Sequence, residues 1–188
     1  MNRFSDYLSV ISQINNLTKD LGNNQNIQWL FHCGMLFLSQ DKWWGDFKFR
    51  HAVHEGIDIT YYRVQPGCLK NFDDSIKVPA MGKGIVLNIC DDFLGKTLVI
   101  EHQNDPSSDK RVVFVYAHIL PENHLKMGHT IQKGDVIATV CDTHKNPLLP
   151  PHLHLSCFEI PKNIMPKDLN WSLFPNHEKI NLIHPVFL

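Results

Sequence analysis

The feature that most constrains this chain is a succession of short β-prone runs with turn residues, and no helical periodicity, between them. Residues 57–62, 84–89, 97–101, 111–116, 136–140 and 152–158 are rich in Val, Ile, Leu, Tyr and Phe, and clusters such as Asn104-Asp105-Pro106-Ser107-Ser108 separate them. Strands at this spacing indicate an antiparallel all-β core. Ahead of them, Phe4, Tyr7, Leu8, Ile11, Ile14, Leu17 and Leu21 recur at steps of three and four. That period predicts an amphipathic helix over 4–21, stopped by Gly22-Asn23-Asn24. The tail after Pro161 is punctuated by Pro and Asn and is expected to wrap the core. The expectation is a mainly β protein, an antiparallel sheet or sandwich, with an N-terminal helical extension (1–45) ahead of the β domain (46–188).

Composition narrows the function classes. With 188 residues, 43% apolar and 20% charged, the chain is neither disordered nor too short for a sizeable core. A net charge of −1, from 18 basic and 19 acidic side chains, gives no electrostatic reason to expect nucleic acid or anionic lipid as a partner. Residues 1–26 lack the apolar stretch of a signal peptide, and Trp29–Leu38 is too short to span a bilayer. Neither a membrane span nor an export signal is expected. Five cysteines (Cys33, Cys68, Cys90, Cys141, Cys157) form no CxxC pair. They read as buried free thiols of a reducing compartment rather than as disulfides or a zinc knuckle.

Histidine is the unusual count, at 12, which points toward a metal or acid/base site. His54-Glu55-Gly56-Ile57-Asp58 puts a His and an Asp four apart at the mouth of the first strand. His152-Leu153-His154 follows Pro150-Pro151, and residues i and i+2 of a strand face the same side. Both imidazoles are therefore expected in one site. About one HxH and one HxxxD arise by chance in a chain of this composition, so neither motif is specific alone. A third element supports them. Tyr116-Ala117-His118 ends a strongly apolar strand, where a buried imidazole needs a polar partner.

In this order, the three elements resemble the lysostaphin-like zinc endopeptidases, peptidoglycan hydrolases of the duplicated-hybrid-motif fold that include β-lytic and glycyl-glycine endopeptidases. His54-Glu55-Gly56-Ile57-Asp58-Ile59 resembles the family's His-x-Gly-x-Asp-Ile, and Pro151-His152-Leu153-His154-Leu155 its Pro-His-Leu-His-Phe. The stretch from Lys126 to Ala138, with Gly128 and Gly134, resembles its glycine-punctuated hairpin. The likeness covers about residues 50–160. It implies that His54, Asp58 and His154 bind Zn2+ and that His118 and His152 are catalytic imidazoles off the metal. It also implies peptidoglycan peptides, or another peptide, as substrate, and a place in the periplasm or cell wall. Two nitrogens and one carboxylate would leave a fourth position for water, the mark of a catalytic zinc. The departures are an apparent insertion over 63–77 and a stiff loop over 141–150, in regions that border the family's substrate groove.

Rival readings are weaker. A zincin helix starting at His54-Glu55 is disfavoured by Gly56 and the strand formers after it, and position 58 is Asp rather than His. As a strand residue, Glu55 is expected to turn away from the face of His54 and Gly56 and not to act as general base. A non-catalytic hybrid-motif scaffold or carrier domain, binding cell-wall material or a protein, needs no ordered histidine set. His32, His51, His102, His124, His129, His144, His177 and His184 match no motif, His51 and His144 being the best placed for a groove. Tyr116 and Trp43-Trp44 read as core or lid before substrate platform.

Overall fold

The computed structural model describes residues 4–19, 27–65, 67–103, 106–143 and 148–186. In chain order its elements are α1 (Phe4–Ile14), β1 (Gln28–Trp29), β2 (Gly56–Ile59), β3 (Tyr62–Gln65), β4 (Cys68–Lys70) and β5 (Lys77–Pro79). There follow β6 (Gly84–Asp91), β7 (Lys96–Gln103), β8 (Lys110–Pro121), β9 (Thr130–Ile131), β10 (Val136–Val140), β11 (Leu153–Pro161) and β12 (Asn181–Ile183). Among the described residues every strand pair is antiparallel. The main sheet runs β12-β11-β8-β7-β6-β9, with β2 on the edge of β11 and β10 joining β8 to β5. This is the mainly β, antiparallel architecture with one N-terminal helix that the sequence predicts.

Alternation along the strands explains why both faces are covered. Phe114 and Tyr116 of β8, and Leu153, Leu155 and Cys157 of β11, enter one core with Leu98 and Ile100. Val113, Val115, Phe158 and Ile160 enter a second layer with Val99. The C-terminal tail closes that second layer through Leu169 and Phe174, the latter stacked on Phe158 at 4.6 Å. The tail thus wraps the core as expected.

Two boundaries differ from the sequence reading. The helix ends at Ile14 rather than near Leu21, because Asn15 is drawn into the sheet: its amide donates to Lys77 O (2.9 Å) and its oxygen accepts from Lys77 N (2.7 Å). Asn16 then takes a left-handed φ of 49°, and the expected stop at 22–24 lies outside the described residues. The expected strand 57–62 is split between two sheets. Thr60 is the pivot: its hydroxyl donates to Pro151 O (2.8 Å) and accepts from Phe72 N (3.1 Å). Beyond it the apparent insertion folds as the β3–β4 hairpin, which pairs with β1 of the N-terminal extension in a three-stranded sheet.

Of the five cysteines only Cys141 and Cys157 are buried; Cys33 and Cys68 are exposed, on a short turn and an edge strand respectively. Among the described residues no helix is long and apolar enough to cross a membrane. Tyr116 is fully buried, its hydroxyl accepting from Met81 N (3.0 Å) and lying 2.7 Å from His102 Nε2. It is a core tyrosine.

His102 gives this core a pH dependence. Burial pushes its pKa down to about 4, below the ordinary 6.5. Below pH 6.5 the unfolded chain therefore binds a proton that the folded chain refuses until about pH 4. The contribution is intact above pH 6.5 and is lost as the pH falls through this window. His102→Gln, which keeps an acceptor for the Tyr116 hydroxyl, is expected to flatten the decline in urea midpoint between pH 7 and pH 5. Equal slopes for variant and parent would contradict this origin.

Candidate active site

The register of three strands builds the site. Asp58 on β2 lies directly opposite His154 on β11, and His154 lies opposite Ala117 on β8. Directly opposed residues share a face, so Asp58 and His154 meet without any long loop. Gly56 permits the approach. A Cβ there would sit 2.6 Å from Leu155 O and 2.8 Å from His154 Nε2. His54, just before β2, completes a group of buried donors with Asp58 and His154.

The three donor atoms form a tight triangle. His154 Nδ1 is 2.9 Å from Asp58 Oδ1, and His54 Nε2 is 3.1 Å from each of them. Zinc bonds of about 2.0–2.1 Å in a tetrahedron would set ligands about 3.3 Å apart. The proton inventory agrees. His54 Nδ1 faces Leu36 O at 3.1 Å, a group that only accepts, so the proton sits there and Nε2 turns a lone pair inward. His154 presents Nδ1 inward while its Nε2 bonds Ser156 Oγ at 2.7 Å. The His54 lone pair, the Asp58 carboxylate and the inward nitrogen of His154 converge on one point, a donor set for a cation, and the residues fit a zinc ion.

Two further imidazoles stand beside this triangle. His152 Nδ1 faces Pro150 O at 2.9 Å, which leaves its Nε2 as a lone pair 3.9 Å from Asp58 Oδ1. The His118 ring lies 4.9 Å from that of His152 and 5.6 Å from that of His154. Simple alternation would not bring His118 here, because its neighbour Ala117 occupies the site face. The pairing of β8 with β7 slips by one residue between Ile119 and Tyr116, and His118 takes a φ of +62°. Such a bulge re-aims a side chain. Asp92 holds the strained residue, accepting from His118 N on Oδ2 (2.9 Å) and facing His118 Nδ1 with Oδ1 (3.2 Å).

Burial and charge act against each other throughout the cluster. Burial alone would raise the Asp58 pKa, but the imidazoles of His54, His152 and His154 packed around it hold it well below the carboxylate range. Burial pushes His152 down to about 3, partly opposed by Asp58, and it lowers His154 as well. Asp92 also stays ionised: burial raises it, yet hydrogen bonds from His118 and the loop amides win. The cluster forms the floor of a cavity of about 370 Å³ whose walls include Trp44, Arg50, Phe93, Leu149 and Trp171.

All five residues singled out by sequence thus meet in one place. Glu55 borders the cavity too, contrary to expectation, because β2 begins only at Gly56 and alternation does not reach it. No described residue of 63–77 lines the cavity, whereas Leu149 of the later loop does. His51 is exposed and is not part of the lining, and His144 lies outside the described residues. The Trp pair divides its roles: Trp43 is core and Trp44 is wall. Sequence reasoning missed Asp92 and the contact of Trp43 with Asp58, since no local spacing connects them to the histidines.

A buried His/Asp/His donor triangle on an antiparallel sheet, with two further imidazoles beside it, is a group that could hold a metal ion. The model of Peptidase family M23 matches residues 52–168, well over half of the chain. The chain belongs to this family of metallopeptidases and is a peptidase. Among solved structures it is similar to LytU (21% identity over 74% of this chain and 77% of that one, TM-score 0.43). It is also similar to lysostaphin (16%, 72% and 44%, TM-score 0.43), of which it spans less than half. A third is a variant of the catalytic domain of the prophage-encoded M23 protein EnpA from Enterococcus faecalis (18%, 72% and 93%, TM-score 0.40). No curated protein matches the chain.

The close approach at Gly56 is directly testable. Gly56→Ala forces a methyl group against the Leu155 carbonyl and the His154 ring. It is expected to destabilise the metal-free protein by about 1–3 kcal/mol, the usual cost of overpacking, as read from denaturant unfolding. Parent-like stability would show that the two strands have room to part.

Proposed function

We propose that this chain is a zinc metalloendopeptidase that hydrolyses peptide bonds in peptidoglycan cross-links or stem peptides. The observation that carries the reading is the donor triangle of His54, Asp58 and His154, with edges of 2.9–3.1 Å, at the floor of an open cavity. His54 Nε2, Asp58 Oδ1 and His154 Nδ1 would hold the ion. When bound, zinc supplies Lewis acidity toward the scissile carbonyl and a nucleophilic water at neutral pH.

The two remaining imidazoles divide the proton work. His152 keeps its proton on Nδ1, toward Pro150 O, so Nε2 accepts a hydrogen bond from the attacking water and aims it. Burial keeps this ring neutral. His118 also offers Nε2 to the cavity, but it has the ionised Asp92 behind Nδ1. An imidazolium formed at His118 has its counter-ion in place, so His118 takes the water's proton and delivers it to the leaving amine. Trp44, Phe93 and Trp171 wall the cavity and exclude bulk water from the reacting bond. A wall substrate implies work at the cell wall or periplasm, which family membership favours over a scaffold or carrier role.

The test combines metal analysis with kinetics on defined peptidoglycans, products being identified by mass spectrometry. The protein from zinc-replete medium is expected to hold about one zinc per chain, and His154→Ala to lose most of it. His118→Ala and His152→Ala are expected to keep their zinc while hydrolysis falls by about 10²–10⁴-fold. A zinc-free parent, or two His variants that both cleave at the parental rate, would sink the reading. Loss of zinc in His152→Ala with retention in His154→Ala would reverse the roles within the pair.

A further inference from the structure

We infer that the segment from Cys33 to Arg50, which precedes the family match, is a working part of the metal site, and that Trp43 is a positioning residue on which metal retention depends. The inference rests on the proposed zinc site at His54, Asp58 and His154. A ligand carboxylate has two oxygens, and Asp58 turns only Oδ1 toward the histidines. Its Oδ2 accepts from Trp43 Nε1 at 2.6 Å, with Arg50 Nη2 at 3.5 Å. An indole N–H only donates, so this bond has one sense and locks the carboxylate plane. Hydrogen bonds of this outer shell orient ligands and set metal affinity.

Trp43 is itself immobilised. It is 2% exposed, packs with Met35, Leu94 and Leu149, and meets the rings of Tyr61 (5.8 Å) and His152 (5.1 Å) edge to face. The same segment orients a second ligand, because the Leu36 carbonyl receives His54 Nδ1. Reciprocal backbone bonds fasten it there: Leu38 N donates to His54 O (2.8 Å) and His54 N to Ser39 O (2.9 Å). Arg50 closes the strap by donating to Gly34 O (2.7 Å) and Asp41 O (3.0 Å). Two of the three donors therefore take their orientation from residues ahead of the family match.

Zinc affinity of the metal-free 188-residue chain, read in competition with a chromophoric chelator, separates this from a purely structural role. Trp43→Phe keeps the ring packing and removes the donor, and is expected to weaken zinc binding by about 10–100-fold. Trp29→Phe, an indole in the small sheet, is expected to stay within about threefold of the parent. Trp43→Phe within that margin, with parental circular dichroism and unfolding, overturns the inference. A parent that binds no zinc overturns the site itself, which sets that failure apart. The zinc-loaded parent offers a readout that needs no variant. Its Trp43 indole proton is expected to exchange slowly with solvent, and exchange at the rate of a free indole also overturns the inference.

Discussion

The antiparallel pairing of β11 with β2 on one edge and β8 on the other sets His154 between Asp58 and Ala117, and the whole site depends on that register. A slip of one residue would turn every side chain of β11 to the opposite face. What prevents the slip is burial on both sides. Leu153, Leu155 and Cys157 fill one core while Phe158 and Ile160 fill the other, so neither face tolerates the other's residues. His154 and Ser156 occupy the second face at its open end, where the apolar layer under the C-terminal tail gives way to the cavity. Trp171 of the tail meets the His154 ring at 5.6 Å and marks that border.

The electrostatic arrangement is unfavourable for folding alone. His54, Asp58, His152 and His154 are all buried, and buried polar groups are costly unless each is hydrogen-bonded. Each has a partner outside the triangle: Leu36 O, Trp43 with Arg50, Pro150 O and Ser156 Oγ. The carbonyl partners hold the protons of His54 and His152 on their outer nitrogens, so the lone pairs of these rings face the Asp58 carboxylate. A cation relieves that opposition, and this is the physical reason the cluster reads as a metal site rather than a satisfied polar core. His118 obeys the same logic at a distance, with Asp92 serving as its outer partner.

Much of this was legible in the sequence where the information is local. The β-prone runs at 84–89, 111–116 and 152–158 reappear within longer strands β6, β8 and β11, and His152 and His154, two apart, reach one site as their spacing predicts. The placement of His118 was legible only through resemblance, because the bulge that turns it inward arises from pairing with β7. Asp92 and Trp43 were not legible at all, since they reach His118 and Asp58 across 26 and 15 residues of chain. The helix end and the split at Thr60 failed for one reason: a side chain found a tertiary hydrogen-bond partner that outweighed local propensity. Asn15 found Lys77, and Thr60 found Pro151 and Phe72.

The central claim is that one zinc ion sits on three named atoms with two imidazoles left free, and anomalous scattering at the zinc edge from crystals of the zinc-loaded protein tests it most directly. The account predicts one strong peak at about 2.0–2.2 Å from His54 Nε2, Asp58 Oδ1 and His154 Nδ1, with His118 and His152 outside the coordination sphere. A peak ligated by His152, or crystals of loaded protein with no peak in the triangle, would contradict it.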